Sequence, residues 1–149
     1  MTVIVFDGRT LAADKQATYG SLRRSVTKVH RVDGLLVGLA GDSWLCAEML
    51  DWIRTGRHRD AFPDAQRSEN FATVVVIDEG KTLVYERSPV PVLLEDPVYA
   101  TGSGRDFALA ALMCGCDARR AVAVACALDV SCGMGIDAID LYPEEPDAA

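Results

Sequence analysis

The chain has 149 residues, half of them hydrophobic and a quarter charged. A domain of that length buries roughly 68–70% of its unfolded surface, so it needs no staples, and this composition excludes a disordered chain. Acids outnumber bases 22 to 15, and the net charge of −7 argues against nucleic acid or an anionic membrane as the main partner.

No apolar run reaches the roughly 18 residues that a transmembrane helix needs. The start, Met1-Thr2-Val3-Ile4-Val5-Phe6-Asp7, has no basic region and too short an apolar stretch for a signal peptide. Cysteines number five, Cys46, Cys114, Cys116, Cys126 and Cys132, and several sit in apolar stretches, as reduced cytoplasmic thiols do. Cys114-Gly-Cys116 invites a metal. The histidines, His30 and His58, are distant in sequence and show no ligand spacing, so packing is the favoured role. Neither a metal nor a cofactor is indicated.

In chain order, an apolar strand over 3–6 and a second over 10–13 flank Asp7-Gly8, the dipeptide of a tight hairpin. Asp33-Gly34 separates strands over 28–32 and 35–40 in the same way. Asp42-Ser43 offers an N-cap for a helix over 44–53, which Gly56 ends. Residues 56–70 are polar and rich in breakers, and are expected to be a mobile loop. A third hairpin joins strands over 73–77 and 82–86 through Asp78-Glu79-Gly80-Lys81. Ser103-Gly104-Arg105-Asp106 matches a capping box before a helix over 107–114, with Gly115 as its stop. Asp117 caps a helix over 118–128, and a last strand covers 136–141. The tail over 143–149 is acidic, proline-rich and expected to be disordered.

Strands 3–6, 35–40 and 73–77 are apolar without alternation, so both of their faces are covered. Hairpins make the sheets antiparallel. The expected fold is α+β, a four-layer α-β-β-α sandwich of two antiparallel sheets, in one domain over 1–142.

Thr2 follows Met1 directly. Methionine removal generally proceeds before a small residue, which would leave Thr2 with a hydroxyl and a free α-amine. A hydroxyl is a weak nucleophile and needs an adjacent base. An α-amine titrates at about 7.7–8.0, and a nearby cation lowers that value. On its own, Thr2 reads as an ordinary threonine leading a strand. Further along, Asp14 ends the second strand and Lys28 begins the third. Gly38-Leu39-Ala40-Gly41-Asp42 runs from a buried strand to a helix N-terminus, and Ala100-Thr101-Gly102-Ser103-Gly104 does the same later.

Taken in order, Thr2, Ala13-Asp14-Lys15-Gln16-Ala17-Thr18, Lys28-Val29-His30-Arg31, Gly38-Leu39-Ala40-Gly41, Gly102-Ser103-Gly104 and Ala127-Leu128-Asp129 resemble the proteasome β-subunit and HslV-like threonine peptidase family. The resemblance covers most of the chain and implies the same sandwich, the N-terminal-nucleophile hydrolase fold. It implies Thr2 as nucleophile and, through its α-amine, as base. Lys28 would be the cation beside it, Asp14 the acid holding Lys28, and the Gly41 N–H a donor to the oxyanion. Ser103 would sit near the α-amine and relay a proton. Asp129-Val130-Ser131-Cys132-Gly133 resembles the family's Asp-x-x-Ser-Gly segment, with Cys132 where many members have serine. Val26, His30, Leu39 and Ser43 would line the pocket for the residue before the cut, Val26 and His30 sharing a face of one strand.

The resemblance also implies a homo-oligomer, ring-shaped, fed peptide substrate by an ATP-dependent unfoldase. It departs at 56–70, where the family has a second helix. Each residue also has a plain structural role: Asp14–Lys28 as a solvated ion pair, Gly41 as a strand end, Ser103 as a helix cap and Asp129 as a helix-end acid. Trp44, Met49 and Trp52 read as core or interface. Two other functions stay open. One is a catalytically silent, self-assembling scaffold that retains Met1, and the other is a small-amide hydrolase of the same fold.

Overall fold

The computed structural model describes residues 1–143. Of the tail expected over 143–149, residues 144–149 lie outside the described residues. The first hairpin forms as its turn dictates: β1 (Ile4–Phe6) pairs antiparallel with β2 (Thr10–Asp14). A second hairpin, β3 (Gln16–Tyr19) and β4 (Leu22–Ser25), stands as a separate two-stranded sheet. The next, β5 (Val29–Val32) and β6 (Leu35–Ala40), turns at Asp33-Gly34 and leads into helix α1 (Ser43–Arg54).

The Asp42 carboxylate accepts the Trp44 and Leu45 N–H groups, as expected of an N-cap. After α1 come β7 (Thr73–Asp78), β8 (Lys81–Tyr85) and the short strands β9 (Val92–Leu94) and β10 (Tyr99–Thr101). Helices α2 (Arg105–Met113) and α3 (Ala118–Leu128) and strand β11 (Ile136–Asp140) follow.

One sheet has the order β10-β1-β2-β11 and the other β5-β6-β7-β8-β9. The unbroken apolar strands are explained by what each face meets. In β1 and the residue before it, Val3 and Val5 pack outward against α2 and α3, on Ala108, Ala111, Ala121, Val122 and Ala125. Ile4 and Phe6 face the opposite way, into a core shared with Leu36, Val75 and Ile77 of the second sheet. In that sheet Val37, Leu39, Val74 and Val76 face outward onto Met49, Leu50, Trp52 and Ile53 of α1. The layers are α2/α3, sheet, sheet, α1: the α-β-β-α sandwich.

Residues 56–70 contain two short 3-10 turns, Arg59–Ala61 and Asp64–Arg67, and no second α-helix. The segment is anchored rather than loose. Phe62 packs edge-on against Trp52 in the core. Gln66 is fully buried; its amide nitrogen donates to the Ala72 and Glu86 carbonyls, and its amide oxygen accepts the Ala72 N–H. No helix among the described residues is long and apolar enough to cross a membrane.

Candidate active site

Antiparallel register gathers the candidate residues at one end of both sheets. Ile4 pairs with Ala13, so the start of β1 lies beside the end of β2, which puts Thr2 beside Asp14. Ile4 also pairs with Thr101, which brings Gly102 and Ser103 alongside Thr2. Ile136 pairs with Asp14, which carries in the loop over 129–135. In the other sheet Val29 pairs with Gly38, so Lys28 and Gly41 come to the same edge. Residues more than 120 positions apart in sequence thus meet because strand starts adjoin strand ends.

Asp14 is fully buried and Lys28 is 5% exposed, and Lys28 Nζ lies 2.7 Å from Asp14 Oδ1. The Asp14 carboxylate also accepts the Val3, Gln16 and Gly133 N–H groups, at 3.0, 3.2 and 3.0 Å. A buried charge held by four donors is an organised ion pair, not the solvated one that the sequence left open. Thr2 is 5% exposed, and its hydroxyl donates to the Met1 carbonyl at 2.6 Å. Lys28 Nζ donates to the same oxygen at 3.3 Å. The hydroxyl and the ammonium therefore converge on one acyl oxygen.

Ser103 is not a helix cap. Helix α2 starts after Gly104 with no side-chain cap, because Gly102 and Ser103 are spent on a turn around Thr2. The Thr2 N–H donates to Ser103 Oγ at 3.2 Å, and the Ser103 hydroxyl is 3.4 Å from the Thr2 carbonyl oxygen that it faces. Gly102 has φ +96°, and a Cβ there would lie 2.0 Å from the Thr2 carbonyl oxygen, so only glycine fits. Cys132 Sγ sits 3.8 Å from Ser103 Oγ and donates to Asp129 Oδ2 at 3.3 Å. The Ser131 N–H bonded to Asp129 holds that carboxyl below its usual range. Burial, aided by the Asp14 charge, pushes the Cys132 thiol up to about 12, so it stays a neutral donor.

Thr2, Lys28 and Gly41 line a cleft of about 610 Å³, and so do Val26, His30, Leu39 and Ser43. Val26 does not share a strand with His30. It lies between β4 and β5, where its N–H bonds the Lys15 carbonyl. It reaches the cleft from the root of the second hairpin instead. Burial, with the Arg54 charge, lowers the His30 pKa and favours neutral imidazole. Gly41 has φ +126°, and a Cβ there would press within 2.9 Å of the Phe71 carbonyl oxygen. Met49 and Trp52 are core residues, whereas Trp44 is 79% exposed at the cleft rim. Sequence reasoning missed the wall formed by β3, including Thr18 and Tyr19. Its strands, Gln-Ala-Thr-Tyr and Leu-Arg-Arg-Ser, are too polar to show a hydrophobic pattern, and Gly20-Ser21 between them was the available turn signal.

The four layers and two antiparallel sheets have the arrangement of the N-terminal-nucleophile hydrolase fold. Among solved structures, eukaryotic HslV from Trypanosoma brucei is 24% identical at a TM-score of 0.70, covering 93% of this chain and 97% of that one. Thiobacillus denitrificans BPH in complex with epoxomicin is 19% identical at 0.71, covering 96% of this chain and all of that one. BPH in a second structure is 20% identical at 0.70, covering 97% of this chain and 100% of that one. The chain thus has the fold of HslV and BPH over nearly its whole length. No family model and no curated protein matches the sequence.

Proposed function

We propose that the chain is a self-assembling threonine peptidase that cleaves unfolded peptides once Met1 is removed. The observation that carries this reading is the convergence of Thr2 Oγ1 and Lys28 Nζ on the Met1 carbonyl oxygen, in a buried corner of the cleft. With Met1 gone, that corner is free for a substrate carbonyl, and Thr2 carries a free α-amine.

In the mechanism, the Thr2 α-amine takes the hydroxyl proton as Oγ1 attacks the substrate carbonyl carbon. The Gly41 N–H stabilises the oxyanion that forms, a contribution typically of roughly 2.7–4 kcal/mol. The amine then gives its proton to the departing peptide nitrogen, leaving an ester on Oγ1 that water hydrolyses. Lys28, held by Asp14, favours the neutral amine and the developing alkoxide. Ser103, with Asp129 and Cys132 behind it, orients the amine and relays its proton. Val26, His30, Leu39 and Ser43 bind the residue before the cut. No cofactor enters.

The reading treats residues 1–142 as one hydrolase domain that works in a ring-shaped homo-oligomer in the cytoplasm, supplied by an ATP-dependent unfoldase. Exposed Met113, Leu128 and Val130 supply apolar surface for assembly.

Intact mass before and after treatment with epoxomicin tests the reading, because a peptide epoxyketone closes a ring on both the hydroxyl and the free α-amine of an N-terminal threonine. The expected result is loss of Met1 and one adduct that Thr2→Ala abolishes. Met1 loss without an adduct and without peptide hydrolysis overturns it, and turnover of small acylated amines in that case points to an amide hydrolase. Retained Met1 in a defined oligomer favours the silent scaffold, in which the Met1 carbonyl keeps the site filled.

A further inference from the structure

Hairpin β3–β4 belongs to neither sheet of the sandwich. Every residue of β4 is exposed, so little apolar burial holds the hairpin down. Its attachments are polar and lie at two places. At the root, the Gln16 N–H is held by Asp14, the Gln16 side chain donates to the Val130 carbonyl, and the Val26 N–H bonds the Lys15 carbonyl. At the far end, the Tyr19 hydroxyl donates to Ser43 Oγ at 3.0 Å.

Tyr19 and Ser43 both line the cleft, one on the hairpin and the other in the first turn of α1. Both are also exposed, so their hydrogen bond spans the cleft at its mouth. We propose that hairpin 16–25 is a movable wall of the cleft, latched shut by the Tyr19–Ser43 hydrogen bond and hinged at Gln16 and Val26. A substrate chain enters when the latch opens. The hinge is tied to Asp14, which holds Lys28, so opening the mouth leaves the catalytic corner in place. The role of the latch in substrate entry rests on the peptidase reading; the motion itself does not.

Hydrogen exchange and steady-state kinetics on the whole oligomer test the proposal, with Tyr19→Phe, Ser43→Ala and the double variant. Both single changes are small and exposed, and Asp42 remains the cap of α1. Loss of one neutral hydrogen bond is expected to raise amide exchange over 17–24 about three- to tenfold in either single variant. The double variant should add nothing further, since both changes break the same bond. For a hexapeptide, kcat/KM of Tyr19→Phe should rise by a similar factor with kcat unchanged, while Ser43→Ala and the double variant are read by exchange alone because Ser43 also lines the substrate pocket. Unaltered exchange over 17–24, or additive effects, overturns the latch. A parallel fall in kcat and kcat/KM overturns its role in entry. If the parent protein hydrolyses no peptide, the peptidase reading fails, and exchange alone decides the latch.

Discussion

Asp14 holds Lys28 at 2.7 Å in a site where the two side chains are 0% and 5% exposed. Oδ1 faces Lys28 and the Val3 N–H, while Oδ2 takes the Gln16 and Gly133 N–H groups. One carboxylate therefore ties together the strand that carries Thr2, the cleft hairpin and the loop behind Ser103. Removing it strands a buried ammonium. Asp14→Ala should cost about 3–5 kcal/mol in urea unfolding, the usual range for breaking a buried ion pair on one side. Lys28→Ala should abolish peptide hydrolysis under conditions in which circular dichroism shows the variant still folded. Hydrolysis above about a tenth of the parent rate would remove Lys28 from the mechanism.

Gly41 combines a positive φ with a near contact to the Phe71 carbonyl oxygen. Gly41→Ala should displace the backbone by a few tenths of an ångström and misalign its N–H. Loss of one oxyanion donor lowers kcat by about 10²–10³-fold. KM should change far less, because the donor acts on charge that develops in the transition state. A variant with normal kcat would show that this N–H does not face the oxyanion.

The thiols titrate unequally. Cys132 is pushed up to about 12 and Cys46, by burial and the Asp42 charge, to about 11, while Cys114 is exposed. Native alkylation with iodoacetamide at pH 8.5 should modify Cys114 and spare Cys132 and Cys46. The same shifts act on stability. The unfolded thiols titrate near 9.0 and release protons above it, while the folded ones hold theirs. The contribution is complete below about pH 9 and is lost as pH rises toward 11 and 12. Cys132→Ser should flatten that loss and keep activity, since a hydroxyl can donate to Asp129 in the same place.

Gln66 pins the segment over 56–70 through three hydrogen bonds, to Ala72 and Glu86. Gln66→Ala leaves buried backbone groups without partners and should cost about 2–3 kcal/mol, measured as a shift of the urea midpoint. Proteolysis at the exposed Arg59 should accelerate with it, because the segment opens locally before the core does.

Much of the fold could be read in the sequence. Strands 3–6, 35–40 and 73–77, with their Asp-Gly and Asp-Glu-Gly turns, carry their structure in local pattern, and unbroken apolarity marks strands covered on both faces. Thr2, Asp14, Lys28 and Gly41, which the family resemblance singled out, each stand at or beside a strand end, and the register of the two sheets brings them together. Other features were hidden for local reasons. Strands β3 and β4 are polar, and β9 and β10 are three residues long and exposed or half-buried, so none shows a hydrophobic period. Ser103 illustrates the opposite error. Ser103-Gly104-Arg105-Asp106 has the spacing of a capping box, yet its hydroxyl faces Thr2, a residue 101 positions away whose backbone offered a better partner.

Sequence alone determined the hairpins β1–β2, β5–β6 and β7–β8, the helical segments α1, α2 and α3 and the residue types at those strand ends, because turn chemistry and side-chain periodicity are local properties. Tertiary structure decided which strand ends share an edge, how Asp14 is buried with four donors, which acyl oxygen the Thr2 hydroxyl and Lys28 share and where Tyr19 reaches Ser43. Those outcomes depend on register across two stacked sheets, and register is set by packing between residues that no local pattern relates.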